Sequence, residues 1–236
     1  MGLFNNLNTD GVERSEDQLG GSFSLLDSNI YTATIKAAYA GRSSAGAMNI
    51  TLICNINNTE YTETVYITNR NGEPFFVDKN SQKKKFLPGY NIINSICMLC
   101  ANKSIKDMDT EEKTLNVYDR EVGKNVPKAV PVLTALSGQI VSLGIIKEIR
   151  NKMKLENGEY VTVADTREEN HITAVFDPNT KQTLNERQDG KEADFYDKWL
   201  AKNQGIIVDK RTVKDVPASK SGTATSAESP RKSLFG

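Results

Sequence analysis

Apolar and polar positions alternate along residues 29–39, NIYTATIKAAY. Tyr31, Ala33, Ile35, Ala37 and Tyr39 share one face, and Thr32, Thr34 and Lys36 the other. Period two with β-branched and aromatic residues predicts a half-buried strand. After the turn-forming GRSSAG of residues 41–46, Met48, Ile50, Leu52, Cys54 and Ile56 alternate with Asn49, Thr51 and Asn55, which predicts a second strand. Asn57-Asn58 predicts a tight turn, and residues 59–68 a third strand. On that strand Tyr61 and Tyr66 fall on opposite faces, so at most one of them is buried. Three strands joined by short turns form a meander, the opening of many OB-like barrels.

The pattern then changes. Phe75, Phe76 and Val77 form a short apolar stretch, and residues 79–86, KNSQKKKF, a polar basic loop. In residues 88–101, Ile92, Ile93, Ile96, Leu99 and Cys100 recur at helical spacing behind a proline, which predicts a helix packed on or plugging a barrel. Residues 114–118 and 121–130 predict strands around a turn at Gly123, and residues 131–137 a helical turn. Strands follow at 138–149, 159–164 and 171–176. Phe195, Trp199 and Leu200 predict a short amphipathic helix within 190–204.

Residues 1–28 are polar and acidic, as an arm would be. After about Lys214 the chain is small, polar and proline-containing, too poor in apolar area to offset its ordering entropy. The expected architecture is therefore a mainly β (α+β) domain over 29–213. It is an OB-like barrel with one or two peripheral helices, an N-terminal arm (1–28) and a disordered C-terminal tail (214–236).

The 236 residues carry equal numbers of acidic and basic side chains, but not evenly spread. Residues 31–106 hold nine basic against four acidic groups, a net of +5, while residues 1–30 have a net of −4 and 107–215 of −3. A basic block inside an acidic chain fits a local anionic ligand. Three cysteines imply no disulfide framework and a reducing compartment. No signal peptide and no membrane-spanning run is recognised, so a soluble cytoplasmic protein is expected.

Catalytic chemistry finds little support. The single histidine, His171, has no nucleophile motif nearby and reads as an ordinary surface or edge residue. Cys97 and Cys100 form a C-x-x-C inside an apolar helical stretch with no second pair, so they read as small core side chains and not as half a zinc site. Asp165, Glu168, Glu169 and Asp177 are the candidates for a nuclease-type Mg²⁺ site, at an acid density ordinary for an exposed loop. No enzyme activity, metal or cofactor is expected.

Single-strand binding needs a cationic groove for phosphates and exposed rings on which bases stack. The segment from Tyr31 to Tyr118, which spans the basic block, holds six of the eight tyrosines together with Phe75, Phe76 and Phe86. The candidate contacts are stacking by a subset of Tyr61, Tyr66, Phe76, Phe86 and Tyr90, with phosphates held by Lys36, Arg42, Arg70, Lys83, Lys84 and Lys85. Arg231, Lys232, Ser233, Leu234, Phe235 and Gly236 form a second candidate, a basic-apolar contact at the end of a solvated linker.

The opening LFNNLNTDG…LGG, the strand IYTATIKAAYAGRSSAGAMNITL, the segment LPGYNIINSIC and the basic tail ending KSLFG resemble the single-stranded DNA-binding protein of Enquatrovirus-type podophages. The resemblance implies an OB-like core that coats single strands in the host cytoplasm during phage DNA replication and recombination. It implies a tail that contacts replication or recombination proteins, or host RNA polymerase in late transcription. Many such tails are acidic. In this one, from residue 216 on, Lys220, Arg231 and Lys232 face only Glu228, which fits an acidic partner surface better than autoinhibition over a DNA groove. The alternative is a phage structural or adaptor protein that binds a protein partner and no DNA.

Overall fold

The computed structural model describes residues 25–119, 122–156 and 159–213. Most of the expected arm and all of the expected tail, Arg231 to Gly236 included, lie outside the described residues. The fold is β-rich α+β.

Strand β1 (Asn29–Arg42) pairs with β2 (Met48–Ile56), and β2 with β3 (Thr59–Tyr66), all antiparallel. Asn57 and Asn58 take positive φ, 50° and 61°, as a two-residue hairpin turn of the mirror-image type demands. A small hairpin, β4 (Phe75–Val77) and β5 (Lys84–Phe86), leads into helix α1 (Pro88–Ala101). Pro88 opens α1 at a position where its missing N–H costs nothing, and Asn102 closes it in the left-handed region.

Strands β6 (Glu111–Asp119) and β7 (Lys124–Val132) form a second hairpin, which joins β1 where Tyr39 meets Val132. A long hairpin follows, β8 (Ile140–Glu156) and β9 (Glu159–Phe176). The sequence pattern divides residues 159–176 into two strands. They form one, because β8 pairs with β9 on both sides of the charged stretch between them. β8 also pairs with the first half of β1, and β10 (Ile207–Asp209) runs parallel to β8 beyond that pairing. Helices α2 (Leu184–Gln188) and α3 (Asp194–Asn203) lie between β9 and β10. The period-two pattern misses β5, α2 and β10, all too short to show a period.

The expected closed barrel is not formed. The path β3-β2-β1-β8-β9 is an open sheet, and among the described residues no ladder joins β3 to β9. Helix α1 packs against both of these edge strands. Its Ile93, Ile96 and Cys97 are fully buried against Ala33, Ile35, Leu52, Cys54, Val141, Leu143 and Ile145 of the sheet. Burying Ile93 and Ile96 contributes about 1.5–3 kcal/mol each, so the helix is part of the core.

On the other face of β8 and β9, Ile146, Ala174, Phe176 and Trp199 form a second cluster under α3. Gly144 makes that docking possible. A Cβ there would lie 3.0 Å from two separate neighbours, the Trp199 ring and the Ala174 methyl. The Trp199 indole N–H donates to the Thr173 hydroxyl at 3.2 Å.

A second correction concerns β1. The register with β2 shifts between Ile35 and Ala37, so Lys36 occupies a bulge. A bulge inserts one residue and exchanges the faces beyond it. Ile35 and Ala38 point to the core, whereas Tyr39 turns away from the face it shares with Ile35 in the sequence pattern.

Candidate nucleic-acid interface

The β4–β5 hairpin carries the densest group of candidate residues. Phe75 lies opposite Phe86, Phe76 opposite Lys85, and Val77 opposite Lys84. Directly opposed residues share a face. Phe75, Val77, Lys84 and Phe86 therefore form one face, and Phe76 and Lys85 the other. Phe86 is 53% exposed and stacks on Tyr90 of α1, with ring centroids 4.6 Å apart and planes 17° from parallel. The Lys84 ammonium sits 4.3 Å over the Phe75 ring. Lys83 and Lys84 are exposed and make no ion pair among the described residues.

Lys85 is engaged in a different way. It donates to Asp78 at 2.6 Å, and Asp78 also accepts from the Asn80 and Ser81 backbone N–H groups. The hydrogen bond from Lys85, helped by those from Ser81, holds the Asp78 carboxyl down to about 2. Lys85 thus braces the loop between β4 and β5.

The hairpin is anchored at one end of the meander. Gly89 of α1 lies so close to β3 that a Cβ would come within 2.1 Å of the Tyr66 carbonyl oxygen. Only glycine admits this approach, and it brings the start of α1, with Tyr90, against the residue whose exposed ring closes β3. Arg42, at the same end of β1, donates to the Gly46 carbonyl at 3.2 Å. Gly46, at φ +90°, backs onto the Arg70 carbonyl, 3.3 Å from where its Cβ would stand. Arg42, Tyr66 and Arg70 therefore gather at the end of the sheet from which the hairpin emerges.

Two candidates do not join this group. Lys36 pairs with Glu60 at 3.0 Å. It lies six residues from Arg42 along the strand, or about 20 Å at the usual rise. Tyr61 faces the core, where its hydroxyl donates to Glu63 at 2.6 Å. Burial, and then the Glu63 charge, push its phenol far above the ordinary range. As the alternation predicts, Tyr61 and Tyr66 part ways, and Tyr66 is the exposed one.

Sequence reasoning missed a polar cluster on the opposite edge. Glu63, on the inward face of β3, accepts the Ile172 backbone N–H of β9 at 2.9 Å and lies 3.1 Å from His171 Nδ1. His171 Nε2 stands 3.1 Å from Glu169 and 3.3 Å from Glu148, which is 2% exposed. Arg150 pairs with both Glu148 and Glu169. The hydrogen bond to Glu63, aided by Glu169 and Glu148 and opposed by burial, raises His171 to about 9. His171 is therefore an imidazolium at neutral pH, enclosed by carboxylates, and not an ordinary edge residue. Charged residues at inward period-two positions, Glu63 between Tyr61 and Val65 and Glu148 in a run of isoleucines, are the signal that could have found it.

Glu148, Glu169 and His171 bring ligand atoms within 4.8 Å of one another. Arg150 and the imidazolium already match those carboxylate charges, so the cluster is built as an ion-pair network. The acids considered for Mg²⁺ are dispersed. Glu168 pairs with Lys147, and Asp177 accepts the Asn179 and Thr180 backbone N–H groups. Cys97 is fully buried, and burial pushes its thiol up to about 12.

No family model matches the chain, and no curated protein matches it in sequence. No helix among the described residues is long and apolar enough to cross a membrane.

Proposed function

We propose that the protein is a non-catalytic, sequence-independent single-stranded DNA-binding protein. The observation that carries this reading is the β4–β5 hairpin, where exposed Phe86 stacks on Tyr90 and, on the same face, Lys84 sits 4.3 Å over the Phe75 ring. Stacked aromatic rings with cations within a few ångströms are what a single strand requires, because every base has a π-face and every nucleotide a phosphate. Tyr66, Arg42 and Arg70 at the adjoining end of the sheet extend that surface.

The strand order supports the same reading. A meander of three strands, with β8 and β9 along the far edge of its first strand, is the order of an OB-type domain. Such domains bind oligonucleotides on the face of strands 2 and 3 and through the loop between strands 1 and 2. In this chain Arg42 begins that loop. The resemblance to the podophage single-stranded DNA-binding protein agrees, and from it come the proposed setting of phage replication and recombination and the proposed tail contact with replication proteins or host RNA polymerase.

The test is a titration of fluorescently labelled oligo(dT) at several salt concentrations, with and without Mg²⁺, against a duplex control. Salt-dependent binding to the single strand, weak duplex binding and an intact oligonucleotide are expected. Absence of binding at low salt overturns the reading. The apolar hairpin tip, with Phe76 and Val77 43% and 50% exposed, would then be a docking surface of an adaptor protein.

A further inference from the structure

A cleft of about 420 Å³ opens between α1, the end of β9 and α2, with Ile92, Val175, Leu184 and Phe195 among its walls. Phe195 is 45% exposed, although it lies one turn before the buried Trp199. An adjoining depression of about 470 Å³ shares Thr183, Asn185 and Phe195 with the cleft and continues past Glu186, Glu192 and Asp194. The two make one trough, apolar at one end and charged at the other. At the charged end three acidic side chains, Glu186, Glu192 and Asp194, stand with two basic ones, Lys191 and Lys198. Lys191 and Lys198 are paired with Asp189 and Asp194, and Glu192 has no ion pair among the described residues. An occupant that fits offers one or two large apolar side chains with positive charge beside them.

We propose that this trough is the docking site of the chain's own segment 231–235, with Leu234 and Phe235 in the apolar cleft and Arg231 and Lys232 against the acidic rim. Beyond residue 213 the only large hydrophobic side chains are Val216, Leu234 and Phe235. Arg231 and Lys232 precede the latter two with only Ser233 between, so this part of the tail matches both ends of the trough. Reach is sufficient. Val213 is pinned by two hydrogen bonds with the Asn151 side chain, each 3.1 Å. The 22 residues from there to Phe235 span up to about 75 Å when extended. A compact body of this size is only about 40 Å across.

Docking places the tail against α1, α2 and α3, in a cleft whose wall includes Pro88, two residues beyond Phe86. The consequence is regulatory: a partner that takes up segment 231–235 competes with the trough, so the contact is offered only when the trough releases it.

The experiment uses the full chain with a photoreactive benzoylphenylalanine in place of Phe235. After irradiation and digestion, cross-links are expected in peptides that contain Ile92, Leu184 or Phe195. A product of monomer mass means docking within one chain, and one of dimer mass joined to the same peptides means docking from a second copy. Cross-links confined to other peptides, or none, overturn the proposal. A second measurement follows the methyl signals of Ile92 and Leu184 in the full chain. Leu234→Ser combined with Phe235→Ser is expected to shift them, and unchanged signals also overturn the proposal. Neither substitution lies in the cleft, so the result reads docking and not folding. Both assays contain no DNA, so their outcome is separate from that of the oligo(dT) titration.

Discussion

The Glu63 carboxylate on β3 accepts the backbone N–H of Ile172 on β9 at 2.9 Å, tying together two strands that share no ladder. One side chain does locally what a row of backbone hydrogen bonds does in a closed barrel. It also receives the Tyr61 hydroxyl and faces His171. Removing it strands a backbone N–H and takes the Nδ1 partner from His171, whose Nε2 keeps Glu169 and Glu148, and a buried donor left unsatisfied costs about 1–3 kcal/mol. Glu63→Ala is expected to lower unfolding stability by about 3 kcal/mol in urea titrations, from the loss of these partners together. Glu63→Gln keeps an acceptor for Ile172 and is expected to cost less. A loss under about 1 kcal/mol in the alanine variant would mean that α1 alone holds the two edges.

His171 gives the same link a pH dependence. Its folded value, raised to about 9 chiefly by the Glu63 hydrogen bond, lies above the unfolded value of about 6.5. The unfolded state therefore gives up its proton first as the pH rises. The stabilisation is fully present below about pH 6.5 and is lost progressively as the pH climbs through about 9. Urea midpoints measured between pH 6 and 10 are expected to fall over that window in the parent chain and to stay flatter in His171→Gln. Parallel curves for the two proteins would rule out His171 as the source.

Gly144 and Trp199 offer an optical readout of α3 docking. Trp199 is the only tryptophan, and its ring lies 3.0 Å from where a Cβ on residue 144 would stand. Gly144→Ala is expected to displace the indole and to cost about 1–3 kcal/mol through overpacking. A red-shifted emission maximum together with a lower Tm is the expected signature. An unchanged spectrum would show that Ala174 and Trp199 can give way without strain.

For DNA binding, Phe86→Ala is expected to weaken oligo(dT) affinity about tenfold, since one stacked base contributes about 1–3 kcal/mol. Lys83→Glu combined with Lys84→Glu is expected to weaken it and to reduce the slope of log K against log[salt] by about 1–2. Tyr61→Phe is the internal control. It loses the hydrogen bond to Glu63 and about 1 kcal/mol of stability, with affinity retained within about twofold. Loss of binding in Tyr61→Phe with full binding in Phe86→Ala would place the site elsewhere.

Much of the local structure was legible in the sequence. Residues 48–56 alternate with period two and form β2 over that range, and residues 88–101 carry helical spacing behind Pro88 and form α1. Both elements turn their apolar positions into the core, so the pattern of side chains and the element are the same fact, although Asn49 and Thr51 on the polar face of β2 are buried as well. The parting of Tyr61 from Tyr66 follows from the same alternation. The clustering of aromatic and basic residues between 75 and 90 was also visible, because it is local in the chain and ends up in one hairpin.

Tertiary structure decided what depends on partners far apart in sequence. The bulge at Lys36 arises from the register with β2 and reverses the face of Tyr39, which no count along β1 reveals. The open edge between β3 and β9 depends on where α1 packs. The charge on His171 depends on Glu63, 108 residues away, on Glu148 across the β8–β9 hairpin, and on Glu169 two residues before it on β9. Sequence periodicity records which side of a strand is apolar. It does not record which strand lies beside it, and it is that neighbour which sets a register, closes or opens a sheet, and moves a proton.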